Sequence, residues 1–306
     1  MRALILLLSA VAFGCGQGDA DRDEVEPVWL DDACGTDDPG YASPSDDALV
    51  AIERTNCYRN LMGIEQGRLD SRLDQAAQAH ADYMATNGLI THTEDAASPG
   101  FTGENAWDRA DAAGYTGWQG IMEVVSYGVG PAAAIDLWMD SVYHRVPFTL
   151  PAWDAAGFGY AGSYAAMTFA FPFPGDREDV VAYPVDGLQD VPPAFDSDTE
   201  SPDPAPALGT VGYPVTVTVG TTSGTWSSNP YDLTLESGTL TGPDGEVAAL
   251  PMDPAGDATL TFTATLLPEQ PLQPETAYDA ELVVVWSGGR RTVDVTFTTG
   301  QCAQAR

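Results

Sequence analysis

An α+β sandwich followed by a separate all-β sandwich is the fold this 306-residue chain predicts. Three observations carry that expectation. Between residues 43 and 142, apolar or small residues recur at helical spacing in stretches that open or close on capping signals. From Gly157 to Phe173, aromatic and small residues alternate through Tyr160, Tyr164, Met167, Phe169 and Phe171, as buried strands do. From about residue 209 to 301 the chain turns to short β-rich runs separated by Gly, Pro and Asn, the spacing of a β-sandwich. With 44% hydrophobic residues there is material for two cores.

Residues 1–14 carry a single Arg2, an apolar run from Leu4 to Phe13, and Gly14 before Cys15, which is the layout of an export signal. The run is too short to span a bilayer. Gly14-Cys15 resembles a bacterial lipobox, with Ala12 where Leu is usual, so Cys15 is the expected lipidation site. Plain secretion is the alternative. Residues 15–42 are rich in Asp and Glu and read as an acidic tether that buries no core. In an oxidising compartment Cys34, Cys57 and Cys302 are an odd set. Cys34 and Cys57 are the favoured pair, and the pairing of Cys302 is left open.

The first globular unit is expected over residues 43–174. Ser43 supplies a helix N-cap with Pro44 behind it, then Asp46 and Asp47 where the helix dipole favours acids, and the helix stops at Gly63. A second helix spans Leu69 to Asn87 and ends at Gly88. His80 sits on its small-residue stripe and reads as a histidine hydrogen-bonded within the fold. His92 follows the helix stop, at a loop or strand start. Pro99 to Gly114 is loop with one helical turn near 106–113. Pro131 to Val142 is the third helix, with Ala134, Ile135, Trp138 and Met139 on one face. Residues 175–208, dense in Pro and Asp, read as a linker.

Charge narrows the functions available. The net charge of -33 comes from 45 acids against 12 bases, all of the latter arginine. Such a surface repels phosphate backbones, so nucleic acid is excluded as a partner. Contact with a membrane is expected only through the N-terminal lipid.

The chemistry concentrates at Trp138-Met-Asp-Ser-Val-Tyr-His144-Arg145, which holds one of three histidines in the chain. Together with Asn56-Cys-Tyr-Arg59, Leu73 to Met84 and His92-Thr93, in that order, it resembles the bacterial branch of the CAP superfamily. That superfamily comprises cysteine-rich secretory proteins, insect venom antigens and plant pathogenesis-related proteins. The resemblance implies an α-β-α sandwich with a cleft holding two histidines and two acids, and in some members a divalent metal. His92 matches the first histidine and His144 the second. Gly103-Glu104-Asn105 spells the family's Gly-Glu-Asn motif. However, Trp107-Asp108-Arg109 through Tyr115 resembles the segment that precedes that motif, which favours Glu123 over Glu104. The second acid has no match, with Asp140 or Ser141 nearest. The all-β unit resembles the Ig-like sandwiches appended to bacterial surface proteins.

The expected protein is thus exported, either in the cell envelope as a lipoprotein or secreted. Its cleft would bind Zn²⁺ or another divalent cation through His92 and His144, with Glu123 orienting them or acting as general base. A non-enzymatic module for lipid, glycan or protein is the alternative, and a metal-dependent hydrolase a further one. Ser141 lacks the Gly-flanked turn of a serine nucleophile.

Overall fold

The computed structural model describes residues 25–151, 153, 155–171, 179–220 and 232–301. The expected leader at 1–14, Cys15 and Cys302 lie outside the described residues.

Helix α1 (Asp46–Leu61) is capped by Ser45, whose hydroxyl accepts from the Ala48 amide. The cap is therefore Ser45 rather than Ser43. This register leaves Asp46 and Asp47 in the first turn, where the exposed N–H groups favour acids. Helix α2 (Ser71–Asn87) is capped by Asp70 and ends on Gly88 in the left-handed region, as the sequence predicts. Short helix α3 (Ala106–Ala112) carries a capping box between Asn105 and Asp108. After strand β1 (Gly120–Tyr127), which the periodicity did not reveal, come α4 (Pro131–Asp140) and α5 (Val146–Thr149). The hairpin of β2 (Ala155–Ala161) and β3 (Tyr164–Phe171) follows. The three strands form an antiparallel sheet in the order β1-β3-β2.

Strand alternation splits this sheet cleanly between two helical layers. Val124, Phe158, Met167 and Phe169 pack against Ala51, Ile52, Ile135, Trp138 and Phe148 of α1, α4 and α5. On the opposite face, Ala155, Ala166, Ala170 and Val125 meet Leu73, Ala77, Met84 and Ala110 of α2 and α3. This is the expected α-β-α sandwich. Glu123 shares the second face with Val125, so the alternation of β1 aims it at α2 and α3. Close approach of α2 to the sheet depends on Gly157 and Gly159. A Cβ on Gly157 would lie 2.0 Å from the Leu73 carbonyl carbon, and one on Gly159 would lie 2.2 Å from the Gln78 amide nitrogen.

Asp74 ties the layers together. Its Oδ1 accepts from the Phe158 amide at 2.8 Å and its Oδ2 from the Tyr41 hydroxyl at 2.5 Å. Burial raises its pKa to about 6 despite those two donors. A folded pKa above the unfolded value means that the folded state holds the extra proton. This group's contribution is therefore complete below about pH 4 and is lost as pH rises through about 6. Asp74→Asn, which cannot ionise, is expected to be more stable than the native protein at pH 7 by on the order of 1 kcal/mol. Denaturant titrations at pH 4 and pH 7 measure this, and an equal difference between the two proteins at both pH values would rule it out.

Of the segment 175–208, expected as a linker, the described residues 179–208 are instead part of the second unit. Strand β4 (Asp179–Tyr183) pairs antiparallel with β8 (Val215–Gly220), and β5 (Leu188–Val191) is positioned to pair with a later strand. Strand β6 (Ala194–Asp196) pairs with β7 (Thr210–Gly212). The prolines of this segment fall between the strands, and the acids are tolerated because β4 and β5 are edge strands, where a charge can face outward. Strands β9 (Thr234–Gly242), β10 (Gly245–Glu246), β11 (Ala249–Met252), β12 (Thr263–Pro268), β13 (Ala277–Trp286) and β14 (Gly289–Thr299) complete the unit. They form one sheet ordered β10-β9-β13-β14-β5 and another ordered β11-β12-β8-β4. Leu240, Leu282, Val284 and Phe297 of the first meet Val215, Val217, Phe262 and Leu266 in a β-sandwich core. That core runs on without a break into the α1 and α4 side of the first unit.

The acidic arm is also docked rather than free where the structure describes it. Val28 bridges to Leu188 of β5, and Cys34 is disulfide-bonded to Cys57 of α1 across 23 positions. Closing a loop of that size contributes about 3 kcal/mol. The arm is thereby held to both units. Among the described residues, no helix is long and apolar enough to cross a membrane.

Candidate functional site

Two histidine centres emerge, one within the first unit and one where the two units meet. In the first, β1, α2, α3 and the loop 91–104 bring four ionisable side chains together in the interior. His80, Glu94, Arg109 and Glu123 are all buried. The Arg109 guanidinium donates to Glu123 Oε2 at 2.6 Å and to the carbonyls of His92, Gly103 and Glu104. His80 contacts Glu94 Oε1 through Nδ1 at 2.9 Å and the Thr91 carbonyl through Nε2 at 2.7 Å. A carbonyl only accepts, so Nε2 carries a proton. The second nitrogen and Glu94 then share one further proton between them. Glu94 Oε2 also accepts from the Thr102 and Gly103 amides, which folds the loop around it.

Glu123 sets the state of His92. Burial pushes the Glu123 carboxyl up, but the His92 hydrogen bond, the Arg109 charge and His80 outweigh burial and hold it below the usual carboxylate range. An ionised carboxylate only accepts, so the 3.1 Å contact from His92 Nδ1 to Glu123 Oε1 puts the imidazole proton on Nδ1. In the neutral ring Nε2 of His92 is then the nitrogen with the lone pair, and 49% of the side chain is exposed. Both Glu123 oxygens are thus engaged and its basicity is lowered. It is placed to orient a histidine rather than to take a proton from water.

The second centre repeats this arrangement with a different acid. Helix α4 ends at Asp140, two residues earlier than Val142, because the next amides turn toward Glu200 instead of continuing the helical ladder. Val142 donates to Glu200 Oε2 at 2.9 Å, and Tyr143 and His144 donate to Oε1 at 2.6 and 2.9 Å. His144 Nδ1 reaches the same Oε1 at 2.8 Å. Nε2 of His144 carries no protein partner among the described residues, and 18% of the side chain is exposed. Ser141 donates its hydroxyl to the Trp138 carbonyl at 2.9 Å and lies 3.5 Å from His144 Nδ1.

The structure therefore pairs Glu123 with His92 and leaves His144 to Glu200. Glu104 is exposed, and its carbonyl accepts from Arg109 and from the Glu94 amide. Asp140 accepts from the Tyr213 hydroxyl at 2.9 Å, away from the role considered for it. Glu94, Arg109 and Glu200 were not foreseen. Glu94 stands two residues after His92 and Arg109 lies in the segment that carried the resemblance, so both had a local signal. Glu200 is one acid among many in a Pro-rich stretch. Of the aromatics, Trp153 is buried and Tyr143 is bonded to Asp257, whereas Trp107 and Tyr127 are exposed together with Leu89, Ile90 and Phe101.

The donor set suits a cation only in part. Among the described residues, no group of three or more His, Cys, Asp or Glu is arranged to hold a metal. What fits is the pattern at each imidazole, since metal-ligating histidines commonly donate the other ring N–H to a carboxylate.

Residues 52–171 match the model of the CAP family, described as the cysteine-rich secretory protein family. The resemblance read from the sequence is supported over that span. No curated protein matches the chain. Similar solved structures include an extracellular protein containing a SCP domain from Bacillus anthracis str. Ames, 19% identical, covering 43% of this chain and 45% of that one with a TM-score of 0.37. Another is an outer surface protein from Borrelia burgdorferi, 16% identical, covering 43% of this chain and 98% of that one with a TM-score of 0.35. The chain thus spans less than half the length of the first of these.

Proposed function

We propose, taking residues 52–171 as a CAP domain, that this is an exported protein whose domain binds a divalent cation such as Zn²⁺ through His92 and His144, without being a hydrolase. One observation carries the reading. Each imidazole is held through Nδ1 by a buried carboxylate, at 3.1 Å for His92 and 2.8 Å for His144, so each offers Nε2 as a ligand. A cation held by two imidazoles keeps open positions and supplies Lewis acidity to whatever binds there. The hydrolytic reading is not favoured, because Glu123 is held by Arg109 and His92. Export accords with the Cys34–Cys57 bridge and the leader-like N-terminus. Attachment through a lipid on Cys15 is part of the same proposal.

Calorimetric titration of Zn²⁺ into the disulfide-bonded protein tests it. One equivalent is expected to bind, with binding lost in both His92→Ala and His144→Ala, and weakened about 10–100-fold in Glu123→Gln. Binding that survives either histidine substitution, or no saturable binding, overturns the cation reading. A surface-binding module would then remain. For that second reading the specific observation is the exposure of Leu89, Ile90, Phe101 and Trp107, all within the stretch that carries His92.

A further inference from the structure

The acid that orients His144 does not come from the CAP domain. Glu200 lies beyond the end of the family match at residue 171, just after the 3₁₀ turn Ser197–Thr199, in the segment that belongs to the β-sandwich unit. It is buried, and four donors converge on it from the single turn 142–144. Three of these are backbone amides. That is the arrangement that suits an anion, and it fixes both the carboxylate and the turn around it.

The surrounding contacts make this a built junction rather than a chance one. The Tyr143 hydroxyl donates to Asp257 at 2.6 Å. The buried Arg145 guanidinium donates to the Met139 carbonyl at 2.6 Å and to the Pro214 carbonyl at 2.7 Å, and lies over the rings of Tyr183 and Tyr213. Tyr143, His144 and Arg145 are thus each gripped by residues of the second unit. With Glu200 as an acceptor at 2.8 Å and Ser141 no nearer than 3.5 Å, the carboxylate decides which nitrogen of His144 carries the proton.

We infer that Glu200 is a positioning residue of the histidine site, fixing His144 with its Nδ1 proton turned inward and its Nε2 lone pair turned outward. The β-sandwich unit is therefore a working part of the site and not a spacer. The inference rests on the reading of His144 as a ligand-presenting residue, but its primary test needs no metal.

Two-bond ¹H–¹⁵N spectra of the metal-free, histidine-labelled protein at pH 8 report the tautomer directly. The three histidines give three separable patterns, and His80, buried in the first unit, serves as the internal report that the fold is kept. In the native protein His144 is expected to show a protonated Nδ1 and a bare Nε2. In Glu200→Gln it is expected to move toward the Nε2-protonated form, with the His80 pattern unchanged, while Glu200→Asp restores part of the native pattern. A native His144 with a bare Nδ1 overturns the inference without any variant. So does a folded Glu200→Gln protein with the native tautomer. Zinc titration separates the two readings. If the native protein binds zinc, Glu200→Gln is expected to weaken it about 10–100-fold. If it does not, the cation reading fails while the tautomer result stands.

Discussion

Arg109→Met is expected to destabilise the protein by about 3–5 kcal/mol, the usual result of removing one partner from a buried ion pair. The guanidinium is buried and serves Glu123 at 2.6 Å and three carbonyls, with Glu94 3.8 Å from its Nε. Methionine fills much of the volume, yet it leaves two buried carboxylates to share the His80 proton. Urea denaturation at pH 7 measures the loss, and a change below about 1 kcal/mol would mean that water already reaches these acids. The acid side of the stability profile gives a second check. Because Glu123 is held below the usual carboxylate range, it contributes stability above that range and loses it as pH falls through the folded value. Without Arg109 that loss on acidification is expected to shrink.

Gly157→Ala is the second large effect, at about 3 kcal/mol, from the addition of a single methyl group. The new Cβ would sit 2.0 Å from the Leu73 carbonyl carbon and 2.3 Å from the Asp74 amide nitrogen. Both are backbone atoms of α2 and cannot rotate away. The helix must lift from the sheet, which also strains the Asp74 bond to the Phe158 amide. Thermal denaturation is the direct measurement. A melting temperature within about 2 °C of native would show that α2 slides at little cost.

Much of the first unit could be read from the sequence because its signals are local. Asn87-Gly88 stops α2, Pro131 opens α4, and the small and aromatic alternation marks the β2–β3 hairpin. His92 and Glu123 could be placed through resemblance, since the order of the motifs sets them. The cluster of His80, Glu94 and Arg109 was harder to see, because it exists only where α2, α3 and β1 converge. Composition marks 175–208 as a linker, whereas the apolar pattern within its described residues, 179–208, is that of short strands. Val180, Val181 and Tyr183 make an adequate edge strand, and the prolines fall between strands rather than within them. Glu200 had no local signature, since nothing distinguishes it from its acidic neighbours until the turn at 142–144 is folded against it.

The grip on residues 143–145 also imposes an order on how the protein is made. A chain emerging N-terminus first presents His144 56 positions before Glu200, Arg145 69 before Pro214, and Tyr143 114 before Asp257. At about 5–20 residues per second the wait for the last of these is on the order of ten seconds. For the earlier part of it, until Tyr183, Tyr213 and Pro214 have followed, the Arg145 guanidinium lacks the carbonyl and rings that later enclose it. The turn that carries His144 is therefore among the last parts of the first unit to set, and an unfinished chain cannot display a finished site.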